Sequence, residues 1–355
     1  MTYTIGRRGL LKGAGKAAIG LTAFNLAGGS IAARAQTSSI VVTHFGGPYE
    51  ILGTIVGAPF KEASGIDVSY EVEISPSAFA KIQTQKDDPP FDLVMVSRAW
   101  GLRALKTGLL APVSAADFSE APNLVEGAIP AEGWGAATML DTFDLMVDTN
   151  QITDPVTSWL DLWREDMKGK IMLPSAVNGA SALNFLVCLA RAISGDTVDD
   201  ASIDEAFKRL IALKPDVRAY YQDGAQPNML IERGDIGICP QFGIRIANTS
   251  RATPNVVKAS PKEGVLAAPY DLCMPANGKN PDAAKEYINF TLTLPVQKAM
   301  TEELLATPVR ADVEVSPEVA PLVTTDPSLL WFLDQEMAAA KQRAWLDRYT
   351  REVQS

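Results

Sequence analysis

Two adjacent side chains of this chain have the chemistry of recognition. Tyr270 and Asp271 are a ring and a carboxylate beside Pro269, inside the apolar run Val265 to Met274. A carboxylate holds a cation or a hydrogen-bond donor, and a ring covers the apolar part of the same molecule. Two placements are open: a core strand with a polar bulge at the surface, or a strand that crosses between two lobes and presents the pair to a cleft. Two more groups follow short β-rich runs. His44, Phe45 and Tyr49 come after Ser39 to Thr43, across the turn Gly46-Gly47-Pro48, and Ser97, Arg98 and Trp100 come after Phe91 to Val96. In α/β folds ligands lie beyond the carboxyl ends of strands, so these positions are candidate contacts. The chain has a single histidine, which limits general acid–base chemistry, and it carries no GxSxG, HExxH, P-loop or strand-borne GxGxxG. Asp87-Asp88 stands in a proline-broken turn and reads as solvated. The expectation is a protein that is not an enzyme and needs no cofactor.

The elements that would position these residues alternate. Ser39–Thr43 reads as a strand, Glu50–Glu62 as an apolar helix ending in Ser64-Gly65, Ile66–Ile74 as a second strand, Ser75–Gln85 as a helix, and Phe91–Val96 as a buried-type strand. Strands alternating with helices predict a largely parallel sheet. Further helices are predicted from about Ala180 to Ile193 and from Asp204 to Lys214. Val217–Tyr221 is a short strand ending in two tyrosines. Asn280-Pro281 opens a helix as N-cap and first helical residue. The C-terminal part reads as helical over Pro295–Leu305 and Asp326–Arg351, the last helix carrying Trp331, Phe332, Met337, Trp345 and Tyr349 as packing residues for the first lobe. Cys188, Cys239 and Cys273 each lie in an apolar run without CxxC spacing. They read as buried free thiols, with one disulfide plus a leftover thiol as the alternative in an oxidising compartment.

Compartment and charge come from the N-terminus. Residues 1–35 hold Arg7, Arg8, Lys12, Lys16 and Arg34 and no acid. Gly6-Arg7-Arg8-Gly9-Leu10-Leu11-Lys12 is a twin-arginine export pattern, followed by an apolar segment and Ala33-Arg34-Ala35. The reading is a signal peptide cleaved near Ala35 and a periplasmic mature chain. The apolar segment is short for a membrane span of about 20 residues. Removing it takes 32 basic and 42 acidic residues to 27 and 42, a net charge of −15. Such a chain repels nucleic acid and anionic lipid, so neither is an expected partner.

The sequence resembles the extracytoplasmic solute-binding proteins of ABC importers, of the polyamine (spermidine/putrescine) type. The residues that carry this are Gly46-Gly47-Pro48-Tyr49 with Pro59-Phe60, Ser64-Gly65-Ile66-Asp67-Val68, Phe91-Asp92-Leu93-Val94 to Ser97, Ser158 to Pro174, Glu232 to Ile238, and Lys262 to Phe290, in the family's order over nearly all of the mature chain. The resemblance implies an α/β protein of the periplasmic-binding-protein type II fold, with two lobes joined by crossing hinge strands: residues 36–140 and 267–355 in lobe 1, and 141–266 in lobe 2. It implies a monomer that captures a small-molecule solute between the lobes and hands it to an ABC permease. It favours the crossing-strand placement of Tyr270 and Asp271, and it puts Asp141, Thr142 and Phe143 on the outward crossing, facing the same cleft.

The residues depart from the polyamine pattern. Where the family places acids, this chain has Ser175-Ala176-Val177-Asn178-Gly179-Ala180-Ser181, a hydroxyl-rich helix start that suits an anion. Pro240-Gln241-Phe242 replaces an expected tryptophan, and Arg98 stands where aromatics are usual. The expected site therefore comprises Phe45, Gly47, Tyr49, Ser97, Arg98, Asp141, Thr142, Ser175, Asn178, Tyr221, Gln241, Phe242, Tyr270 and Asp271, with Arg245 and Arg310 as further arginines that reach the cleft. Arg98 and Arg245 would serve an anionic end, Asp141 and Asp271 a cationic one. The expected ligand is a carboxylate or zwitterion rather than a linear polyamine. Tyr220-Tyr221 with His44 is similar to the tyrosine and histidine sets of ferric-ion binders, and this is the alternative reading.

Overall fold

The computed structural model describes residues 39–195 and 197–355. The export segment expected over residues 1–35 lies outside them. Strand β1 (Ser39–His44) is followed by two short turns of 3-10 and π geometry and by helix α1 (Ala58–Ser64), so the continuous helix expected from Glu50 is tighter and looser by turns. Gly65 closes α1 at φ 78°, the left-handed cap that glycine adopts without strain. Strand β2 (Asp67–Val72) then pairs in parallel with β1. Helix α2 (Ser75–Thr84), strand β3 (Val94–Ser97) and helix α3 (Arg98–Lys106) follow, and β1 touches the lead into β3 through a parallel bridge between Val42 and Leu93.

Strand β4 (Ala136–Asp148) organises the rest. All its 13 residues are buried, and at about 3.3 Å per residue it spans about 40 Å. Beyond it come β5 (Ile171–Pro174), α4 (Gly179–Ser194), α5 (Asp200–Leu213), β6 (Val217–Tyr221), α6 (Ala225–Glu232), β7 (Ile238–Phe242), α7 (Gly243–Ala252) and β8 (Val256–Ala259). Strand β9 (Val265–Cys273) returns beside β4, and α8 (Pro281–Thr291), α9 (Leu294–Ala299), β10 (Leu330–Phe332) and α10 (Gln335–Tyr349) complete the chain. Helix α5 starts before Asp204 because Asp199 accepts the Ser202 backbone N–H at 2.8 Å while Ser202 Oγ returns the bond.

The sheet is mixed rather than largely parallel. β5 pairs in parallel with β6 and β7, and β10 with β9, but β4 runs antiparallel to β7, β8 and β9. A chain that leaves one core along β4 and comes back along β9 must run the two strands in opposite senses. Pro269 does not interrupt β9. Leu140, opposite Pro269, turns both its backbone groups to Thr307 at 2.9 Å, so the ladder asks no N–H of the proline there. A bulge between Ala137 and Met139 is held by Gln297, whose amide donates to the carbonyls of Thr138 and Thr291 at 2.7 Å and accepts the Val309 N–H at 2.9 Å.

Two large apolar cores flank these strands. One gathers Ile40, Val42, Phe60, Leu93, Met95, Tyr287, Ile288 and Val309; the other gathers Phe143, Leu145, Trp159, Phe185, Leu186, Phe207 and Ile238. Helix α10 joins the second core through Ala338, Trp345 and Tyr349, not the first as expected. Trp331 and Phe332 stand on β10, outside the helix, because Asp334 caps its start by accepting the N–H groups of Glu336 and Met337. All three cysteines are buried and unpaired, and burial raises their thiols well above the usual range.

Candidate functional site

Between the two cores, where β1, β4, β7 and β9 end or cross, lies a cavity of about 720 Å³. Its walls come from the β1 turn (Phe45, Gly46, Gly47, Pro48, Tyr49), from the crossing strands (Asp141, Tyr270), from the start of α4 (Asn178, Ser181), from α6 and its approach (Gly224, Asn228), and from the end of β7 with α7 (Phe242, Ile244, Arg245, Asn248). Phe45, Tyr49 and Tyr270 meet edge to face, with centroids 5.2, 5.6 and 5.8 Å apart. Gly46 and Gly47, at φ 74° and 59°, let the turn bring Phe45 and Tyr49 back to the same wall. Burial raises the Tyr49 and Tyr270 hydroxyls, and the charge of Asp141 pushes both the same way while Arg245 opposes it.

Asp141 is almost fully buried. Its Oδ1 accepts the backbone N–H groups of Thr142 at 2.9 Å and Ile244 at 3.0 Å, so it caps α7 from across the sheet. Oδ2 accepts no hydrogen bond among the described residues. Burial is the largest influence and lifts the carboxyl to about 6, against the two backbone donors and Lys258. The fit at the helix start is tight: a Cβ on Gly243 would stand 2.4 Å from Thr142 Oγ1. Gly243→Ala is therefore expected to cost about 1–3 kcal/mol by overpacking and to weaken the Asp141 cap. Urea midpoints of the variant and the parent check this, and an unchanged midpoint would show that Thr142 gives way.

Of the expected contacts, Phe45, Gly47, Tyr49, Asp141, Asn178, Phe242 and Tyr270 line the cavity, and Arg245 with them. The other expected contacts are elsewhere. Arg98 and Asp271 hold each other: Nη2 to Oδ1 is 3.0 Å and Nε to Oδ2 is 3.3 Å, with Trp134 Nε1 on Oδ2 at 2.6 Å and Arg98 Nη1 on the Gly127 carbonyl at 2.8 Å. Neither is accessible. Adjacent residues of a strand face opposite sides, so Tyr270 toward the cavity puts Asp271 away from it. Thr142 is not in the cavity wall; its hydroxyl is buried against Gly243 and has no hydrogen-bond partner among the described residues. Ser97 donates its N–H to Ser75 Oγ at 3.2 Å at the start of α3. Ser175 accepts the Val177 N–H at 3.2 Å, and Tyr221 donates to the Pro240 carbonyl at 2.8 Å. Gln241 braces the wall from behind, donating to the Gly224 carbonyl at 3.0 Å and to Asn228 Oδ1 at 3.3 Å. Arg310 is buried against Glu120, Asp312 and the Leu292 carbonyl, and Trp100 stacks on Phe79 away from the cavity.

The tyrosine pair of the metal reading does not converge. Tyr220 donates to the Val353 carbonyl and Tyr221 to that of Pro240, and His44 Nδ1 accepts the Gly46 N–H. No cluster of three metal-ligating side chains occurs among the described residues. Lining residues outside the expected set include Ser181, Gly224, Asn228, Ile244 and Asn248. The strand-end rule applied to β7 points to Ile244 and Arg245; nothing in the local pattern points to Asn228.

Comparison with known proteins gives the following. Residues 56–329 match the family model described as bacterial extracellular solute-binding protein. The spermidine/putrescine-binding periplasmic protein of Escherichia coli (strain K12) is 28% identical over 271 residues, covering 74% of this chain and 76% of that protein. Among solved structures, an extracellular solute-binding protein from Bordetella parapertussis superposes with a TM-score of 0.81 at 20% identity, covering 89% of this chain and 99% of that one. A spermidine/putrescine ABC transporter substrate-binding protein from Streptococcus pneumoniae gives 0.72 at 16% identity, covering 89% and 100%.

Proposed function

The chain belongs to the bacterial extracellular solute-binding proteins, and from that premise we propose that it captures a small organic solute in the cavity between its two cores and hands it to the membrane permease of an ABC importer. Its fold is the type II periplasmic-binding-protein fold. The observation that carries the proposal is the cavity itself. It has the size of a small-molecule site, an aromatic wall, and a few polar groups converging from both sides. The role is binding and hand-over, with no bond made or broken.

The lobe division proposed is the one the crossing strands suggest, residues 36–140 with 267–334 against 141–266 with α10, and closure is a hinge motion in which the ligand touches both. Export by the twin-arginine segment and a periplasmic location fit this role, as does the periplasmic naming of the relatives. No helix among the described residues is long and apolar enough to cross a membrane.

A thermal-shift screen of the purified protein against amino acids, polyamines, small carboxylates, sugars and sugar phosphates tests the proposal. One class is expected to raise the midpoint, and a ligand at a hundred times its Kd stabilises by about 2.7 kcal/mol. No response to any small solute would overturn it.

A further inference from the structure

We infer that the solute is a small zwitterion, its ammonium group set against Asp141 and its anionic group against Arg245, and that linear polyamines are not its ligands. This rests on the solute-capture reading above and names the substrate class of that site.

The charge inventory is the first ground. Asp141 and Arg245 are the charged residues of the cavity wall, one of each sign. A diamine or triamine presents a cation at each end and needs an acid for each. The other acids of the crossing strands are engaged: Asp144 faces Lys258 at 3.5 Å and accepts from Ser260 Oγ at 2.8 Å, and Asp271 is spent on Arg98 and Trp134 on the other face of β9. A polyamine would therefore bring one of its ammonium groups into a wall that carries an arginine, and like charges at close range select against the ligand.

The second ground is that both charges have their open side toward the cavity. Asp141 Oδ1 is saturated by two backbone N–H groups, which leaves Oδ2 for a donor on the ligand. Arg245 stands in the first turn of α7, exposed, and its guanidinium forms no ion pair or side-chain hydrogen bond among the described residues. By contrast the less exposed Arg98, Arg164, Arg310 and Arg348 are paired with carboxylates. Room is made for Arg245 at Gly224, where a Cβ would come within 2.9 Å of Nε.

The third ground is that the two charges share one cavity wall with the rings of Phe45, Tyr49 and Tyr270. The hydroxyls of Tyr49 and Tyr270 both feel Asp141 and Arg245, so the charges lie about the same pair of rings. A ligand that reaches from one to the other lays its carbon skeleton on Phe45, Tyr49 and Tyr270. Asn228 and Asn248 supply amides for its remaining polar atoms.

Calorimetric titration of the purified protein with three matched series tests the assignment: α- and ω-amino acids of two to six carbons, the α,ω-diamines including putrescine, and the α,ω-dicarboxylates. Binding is expected from amino acids, at least tenfold tighter than from the diamine or dicarboxylate of equal length. Arg245→Gln, an exposed change with no partner to orphan, should weaken the bound amino acid at least tenfold. Arg245→Glu should abolish amino-acid binding and raise putrescine affinity at least tenfold over the parent, by supplying the second acid. A diamine or dicarboxylate that binds as tightly as any amino acid overturns the assignment and leaves solute capture standing. So does an Arg245→Gln variant that binds the amino acid unchanged. Failure of all three series, with a response to a sugar or other uncharged solute in the thermal screen, also overturns it. Failure of every solute removes the capture reading as well.

Discussion

Arg98→Ala is expected to cost about 3–5 kcal/mol of folding stability, because it leaves the wholly buried carboxylate of Asp271 without its counter-charge. For a chain of this size that is a fall on the order of 10 °C in Tm. The guanidinium also ties β3 and β9 to the Gly127 carbonyl and lies over the rings of Trp134 and Phe332, at 5.8 and 5.2 Å, so packing is lost with the charge. Ligand affinity of the folded variant should stay within a few-fold, since neither member of the pair reaches the cavity. Replacing both, Arg98→Met with Asp271→Leu, should cost clearly less than Arg98→Ala alone, because no charge is then left buried and unpaired. Urea unfolding of the three variants, with titration of the ligand found by screening, decides the matter. A normal Tm together with lost binding in Arg98→Ala would return Arg98 to the ligand, the role its place after β3 suggests.

That contrast shows where reading a sequence succeeds here. The positions after β1 and β7, and the choice of β9 as a crossing strand, follow from strand ends and from the ordered resemblance, and Phe45, Tyr49, Phe242, Arg245 and Tyr270 do line the cavity. Asp271 was open to correction by the same reasoning that separates Tyr220 from Tyr221. On an extended strand one of two neighbours faces the ligand and the other faces away. The pairing of Arg98 with Asp271 is of a different kind. It joins residues 173 apart, and nothing local marks which arginine is drawn to a buried acid and which is left to a solute. Helix α10 is a similar case. Its apolar face says that it packs, and only the path of the chain after β10 says that it packs on the second core. Asn228 reaches the wall because Gln241 and the turn of α6 place it there, a relation spread over separate elements.

Asp141→Asn is expected to make the empty protein more stable while making it a worse receptor. The carboxyl is lifted from 3.8 to about 6 by burial. The folded protein therefore holds a proton that the unfolded chain has already released between those two values, and native stability falls as pH rises through that window. A rise of about two units corresponds to about 3 kcal/mol, fully felt above pH 6 and absent below pH 4. Asparagine keeps the capping acceptor for the N–H groups of Thr142 and Ile244 and carries no charge to desolvate. Urea midpoints should therefore rise for the variant at pH 7.5 and coincide with the parent near pH 4. Tyr49 and Tyr270, which face the same cavity, are pushed up by burial, and the Asp144 carboxylate stands 3.5 Å from Lys258. Binding of an ammonium ligand at Oδ2 requires the ionised form, so affinity in the parent should fall by up to tenfold per unit as pH drops below about 6. The variant should bind at least tenfold more weakly at pH 7.5 and show no such slope. A stability difference that does not change with pH, or a parent affinity flat from pH 7 to 5, would show that Asp141 is a helix cap and no more. If both dependences appear, the buried acid is a group whose charge the empty fold tolerates at a cost in stability and the solute relieves, which is how a receptor gains affinity from a residue that does not help it fold.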